Sequence, residues 1–171
     1  MSDVLVIPSA VVETLKRKAK KLVKERGVAH HAALDMVARA AGTFTDWHHL
    51  IDAAKATEPA ERAFKTGFVV GMHRKDMEHV PASPRPFVLD DRLATFVRFD
   101  YEKRHPKPWN EDVELDWFEL GDLVFFRSAG PVPGTLDAAW DLCSPVFVFP
   151  PEYVRLRGKL ESFLPEDDDH V

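Results

Sequence analysis

The chain has a single cysteine, Cys143, among its 171 residues, so no internal disulfide can form and no thiolate pair can hold a structural zinc. It also lacks any apolar run near the ~18 residues of a membrane-spanning helix, and no charged-then-apolar leader opens it. Together these absences predict a soluble protein of a reducing compartment, the cytoplasm, with no membrane among its partners. There is no phosphate-cradling glycine loop and no dinucleotide fingerprint, since Gly67 and Gly71 stand alone. Histidine is missing between Arg127 and Pro165, which removes the downstream base that a nucleophilic Cys143 would need. The expectation is therefore no catalytic residue, no metal and no cofactor, with Cys143 a buried, inert thiol.

Charge is what the chain has in uneven supply. The net charge is −5, but residues 1–80 carry 13 Lys/Arg against 10 Asp/Glu, whereas residues 81–171 carry 10 against 18. Much of the positive charge sits on a predicted first helix, Ser9 to Arg26, introduced by Pro8 and closed by Gly27. Val11, Leu15, Ala19, Leu22 and Val23 form its apolar stripe. Lys16, Arg17, Lys18, Lys20, Lys21, Lys24 and Arg26 cover the rest, opposed within that stretch only by Glu25. So dense a cationic surface suits an acidic protein partner or nucleic-acid phosphates, although lysines also simply solvate helices.

Two further helices follow. Leu34, Val37, Ala38 and Ala41 recur at helical spacing, and so do Trp47, Leu50, Ile51 and Ala54. Gly42 marks the end of the first, while Thr43 or Thr45 caps the second, with Asp46 in its first turn. A shared core of Leu15, Leu22, Leu34, Val37, Trp47, Leu50 and Ile51 is expected. Glu58 and Pro59 then open a fourth helical segment over residues 60–80, with Phe64, Phe68 and Met72 on one side, although Phe-Val-Val between Gly67 and Gly71 suits a strand equally.

The Pro-rich segment 81–86 reads as a linker between a helical region, residues 1–80, and a β-rich acidic region, residues 87–164. There, Thr95, Val97, Phe99 and Tyr101 alternate as a strand, as do Val113, Leu115 and Trp117, with Leu123 to Phe126 as a third. A short helix from Thr135, a buried strand Val146 to Phe149, a final helix from Pro150–Pro151 to about Phe163 and a disordered acidic tail, 165–171, complete the reading. The fold class is α+β: a helical N-terminal part, then a small, mostly antiparallel sheet with one or two further helices.

The stretch from about Val11 to Ala54 resembles a known family. Its Lys/Arg-rich helix, then Ala33-Leu34-Asp35-Met36-Val37-Ala38-Arg39-Ala40-Ala41-Gly42, then Trp47-His48-His49-Leu50, look like the glyoxalase-related helical domain of bacterial proteins, often carried on plasmids and other mobile elements. The domain takes its name from chains in which it is attached to a glyoxalase-like domain. The resemblance thus implies a helical fold and no particular activity.

Among candidate chemistries, neighbouring histidines such as His48 and His49 point about 100° apart on a helix and cannot chelate one ion together. Gly121-Asp122-Leu123-Val124-Phe125-Phe126 is similar to a stretch in cysteine peptidases that cleave cell-wall peptides, but the order of Cys and His contradicts that chemistry. Two helices joined near Gly42 also resemble a helix-turn-helix, with Thr43, Thr45, His48 and His49 where base contacts would come. The second helix is poor in cations, so nucleic acid would have to be held by the first. A binding protein with a protein partner is the leading expectation. Nucleic-acid binding is the alternative, an unrecognised hydrolase or metal enzyme the third, and self-association is permitted by the charge asymmetry. The residues that would carry binding are Lys16, Arg17, Lys18, Lys20, Lys21, Lys24, His48 and His49.

Overall fold

The structure, a computed structural model, describes residues 4–163; the predicted acidic tail lies outside them. The chain divides into two compact units, residues 1–59 and 60–171. The first holds helices α1 (Ser9–Arg26), α2 (His30–Ala40) and most of α3 (Trp47–Thr66). Gly27 ends α1 at φ 65°, its N–H donating to the Val23 carbonyl. The helical core is Val12, Leu15, Ala19, Ala33, Val37, Ala38, Phe44 and Leu50, with Leu22, Leu34, Trp47 and Ile51 half-buried around it. The α1 stripe begins at Val12, not Val11, which is 40% exposed, because Val12, Leu15 and Ala19 keep the i, i+3, i+7 spacing.

Capping also departs from expectation. Neither Thr43 nor Thr45 caps α3; the Asp46 carboxylate accepts the His49 N–H at 2.9 Å. Asp35 on α2 accepts the Trp47 N–H at 2.9 Å, which fixes where α3 starts. The fully buried Thr57 donates its hydroxyl to the Ala53 carbonyl at 2.8 Å and accepts the Ile7 N–H at 3.0 Å. Pro59 does not open a new helix but lies inside α3, which continues to Thr66. Proline there removes one ladder bond, but the alanine-rich sequence on either side favours helix strongly enough to carry the chain through.

In the second unit, the predicted helix over 60–80 is α3's last turns followed by strand β1 (Phe68–His73) and a 3-10 segment, Arg74–His79. The remaining elements are β2 (Phe87–Leu89), α4 (Leu93–Arg104), α5 (Glu111–Gly121), β3 (Leu123–Ser128), α6 (Leu136–Cys143), β4 (Tyr153–Leu156) and β5 (Lys159–Phe163). The α+β class holds: the five strands form one sheet in the order β2-β3-β1-β4-β5, every neighbour antiparallel. Residues 81–86 are not a boundary. β1 is the middle strand, paired to β3 on one side and β4 on the other, so the sheet draws on residues from both sides of that segment.

One sheet face carries Phe68, Val70, Met72, Val124, Phe126, Val154 and Leu156 and is covered by Ala139 and Cys143 of α6 together with Phe147. The opposite face carries Val69, Phe125, Tyr153 and Arg155 and receives α4 and the end of α3, where Phe64 stacks on Phe96 at 5.8 Å and Arg155 lies 3.9 Å over the Phe64 ring. Buried Asp90 accepts from Arg127 at 2.9 Å at the start of α4.

Four predicted elements are corrected. Residues 95–101 and 113–117 are helical, in α4 and α5. Val146 to Phe149 is not a strand, and Val148 is 68% exposed. Instead of a final helix, β4 and β5 make a hairpin whose turn residues Arg157 and Gly158 both have positive φ, 50° and 80°. A Cβ on Gly158 would stand 2.6 Å from the Lys65 carbonyl, so this turn needs glycine twice over.

Burial pushes the Cys143 thiol up to about 12. At pH 8 it should resist alkylation in the folded protein and react within minutes once unfolded; rapid modification by a thiol reagent without denaturant would contradict its placement.

Candidate interaction sites

The predicted cationic residues lie as expected on the exposed surface of α1. Arg17, Lys20, Lys21 and Lys24 share the side away from Val12, Leu15 and Ala19. Lys16 pairs with Glu13 at 2.9 Å, and that ammonium holds the Glu13 carboxyl below its usual range; Lys21 meets Glu25 at 3.6 Å. Among the described residues, no carboxylate comes within 4 Å of Lys18, Lys20 or Lys24. Four of the predicted residues thus form one stripe, while Lys16 and Lys18 flank it.

His48 and His49 are exposed but serve local structure. His48 sits 3.6 Å from Asp52. The His49 Nδ1 accepts the Thr45 N–H at 3.4 Å, and its ring meets Phe44 edge-on at 5.4 Å. No hydrogen bond or ion pair among the described residues joins these histidines to the α1 stripe.

The second unit holds a site that was not singled out from the sequence. Tyr101, on the last turns of α4, donates its hydroxyl to the Val113 carbonyl of α5 at 3.0 Å and stacks on His105 at 4.3 Å. Trp109 donates its indole N–H to the His105 carbonyl at 2.7 Å, and Trp117 of α5 tilts against it at 5.3 Å. Asn110 caps α5 by accepting the Val113 N–H at 2.9 Å, and Glu111, Asp112 and Glu114 favour the positive helix start. Beside this cluster opens a cleft of about 720 Å³, lined by Lys107, Pro108, Trp109, Glu114, Trp117 and Phe118. Each ring has one of the protein's own cations nearby: Lys107 at 4.9 Å from Trp109, Arg104 at 5.7 Å from Tyr101, Arg98 at 5.9 Å from Trp117. Phe118 at the cleft is 70% exposed, and Leu115, one turn back on the same helix face, is 58% exposed. The available signal was aromatic density between Phe99 and Phe118, which a strand reading spread over two faces.

Both tyrosines of the chain are deeply buried, and burial first, then Asp116 for Tyr101, pushes each phenol up to about 12. The unfolded phenols ionise near pH 10, so the folded state keeps protons that the unfolded state releases. Stability from this source is full below pH 10 and lost as pH rises toward 12. An ultraviolet titration should show almost no tyrosinate at pH 10.5 until urea is added; half-ionisation in the native protein would refute it.

Among the described residues, no three His, Cys, Asp or Glu side chains converge as a metal-ligand set, and no helix is long and apolar enough to cross a membrane. Comparison with protein-family models, with curated proteins and with solved structures found no match. The likeness of residues 11–54 to the glyoxalase-related helical domain therefore rests on the quoted residues alone.

Proposed function

We propose that this protein is a non-enzymatic binding protein that acts through a protein partner, engaged at the α5 face and its aromatic cleft. The observation that carries this reading is the exposure of Phe118 and Leu115 beside two half-buried tryptophans, with charges of both signs at the rim. Aromatic anchors inside a polar rim are the composition of interface centres. A single unpaired, buried thiol fits residence in the cytoplasm. The alternative, nucleic-acid binding, draws on the α1 stripe, where Lys20 and Lys24 have no carboxylate neighbour.

Affinity capture from a bacterial lysate, with and without nuclease, tests the two readings. Wild-type protein should retain the same partner in both arms, and Phe118→Ser, a change at an exposed site, should release it. Capture that vanishes on nuclease treatment would transfer the function to α1. Capture indifferent to Phe118→Ser would remove the cleft from it.

A further inference from the structure

We propose that the acidic α5 face and its cleft receive the cationic α1 stripe of a second copy of this chain, so that the protein associates head to tail with itself. The inference rests on the reading of the cleft as a protein-binding site and names the occupant.

Charge complementarity carries it. Residues 9–26 hold seven Lys/Arg against two Asp/Glu, whereas residues 98–122 hold four against eight. The two signs are also presented on matching shapes. On α1, Arg17, Lys20, Lys21 and Lys24 follow one side of an 18-residue helix. On α5, Glu111, Glu114, Leu115 and Phe118 fall at i, i+3, i+4 and i+7, so carboxylates and apolar groups share one outward row. A lysine or arginine laid along that row meets a carboxylate with its charge and a ring or Leu115 with its methylene stem.

The rings already show their affinity for cations. Three of the chain's own side chains, Arg98, Arg104 and Lys107, sit within 6 Å of ring centroids in this cluster. Of these, only Lys107 lines the cleft, and it is exposed on a flexible stem, so its ammonium can swing aside for an incoming cation. Trp117, Phe118 and Glu114 then offer two ring surfaces and a carboxylate.

The two surfaces are different patches of one chain, so the contact is heterologous. Each union leaves one acidic and one cationic face unused, and association continues into short chains or closes into a ring. Because both surfaces are solvated, the contact should weaken steeply with salt.

The test uses two charge-neutralised full-length proteins: Glu111→Gln with Glu114→Gln, keeping the cationic stripe, and Lys20→Gln with Lys24→Gln, keeping the acidic face. All four positions are exposed, and circular dichroism checks that both variants fold. In sedimentation, nuclease-treated wild type at ~50 mM salt should show a mass that rises with concentration and falls to the monomer at ~500 mM. Each variant alone should stay monomeric, and an equimolar mixture should form a pair and nothing larger, since only one working face of each remains.

Wild type that stays monomeric at ~100 μM and low salt would overturn the proposal, as would a mixture that does not pair. So would a monomeric wild type that shifts nucleic acid through Lys20 and Lys24, which would give the stripe to phosphates. If self-association fails but another protein is still captured through Phe118, this inference falls and the reading of the cleft survives. If Phe118-dependent capture is also absent, both fall.

Discussion

Replacing Leu50 with Ala should destabilise the three-helix unit by about 3–4 kcal/mol, in the middle of the range for buried leucines. Leu50 is fully buried. Its cluster includes Ala19, Ala33 and Ala38, also fully buried, whose short side chains cannot reach into the gap. There is no long side chain at those positions to turn inward, so the transfer loss and most of the cavity cost are both felt. Such a loss is a large part of a small unit's stability. Urea unfolding followed by far-ultraviolet circular dichroism should show the midpoint fall, with amide exchange in residues 9–56 accelerated most. A cost under ~1 kcal/mol would mean the site collapses freely, contrary to the packing described.

Gly71→Ala should cost about 3 kcal/mol for the opposite reason, overfilling. Gly71 lies in the middle strand, directly across from Phe125 on β3 and Tyr153 on β4. A methyl group there would stand 2.8 Å from the Tyr153 Cβ and 2.9 Å from the Phe125 ring. Those two rings meet edge to face at 5.4 Å, and the absence of a side chain on Gly71 lets them do so. The Tyr153 Cβ cannot retreat without moving its strand, so relief must come from the phenyl ring. Combining Gly71→Ala with Phe125→Leu should therefore cost less than the sum of the two single changes. Thermal unfolding of the four proteins measures this, and strict additivity would place the crowding elsewhere.

The first three helices were legible because Leu15, Val37, Leu50 and their neighbours repeat at helical spacing in sequences rich in helix formers. α4 was not, because two periods overlap in one stretch. Thr95, Val97, Phe99 and Tyr101 alternate like a strand, but the buried set is Leu93, Phe96, Val97 and Tyr101, and Phe99 is 62% exposed. Tertiary burial chose the helical period where composition favoured the other. In α5 the Asn110 cap and the acidic first turn were the overlooked signal, and Val113, Trp117 and Leu120 form its inward row. At the β4–β5 turn, Gly158 just after the Tyr153–Leu156 stretch marked a hairpin that the preceding prolines made look like a helix start. Of the binding surfaces, the α1 stripe could be read from charge alone. The cleft could not, because Trp109, Glu114 and Trp117 converge only once α5 is known to be helical.

The position of β1 in the sheet also bears on how the chain is made. Its last residue, His73, leaves the ribosome about 50 residues before β3 begins and 80 before Tyr153 of β4. At roughly 5–20 residues per second, the strand waits roughly 4–16 s for its second neighbour. Throughout that interval Phe68, Val69, Val70 and Met72, all destined for burial, stand on a strand with at least one open edge. The α1–α3 segment meets its contacts early and locally, but the sheet can close only when nearly the whole chain has emerged. The nascent polypeptide is therefore most exposed to aggregation, and to holding chaperones, in the window between His73 and Leu156.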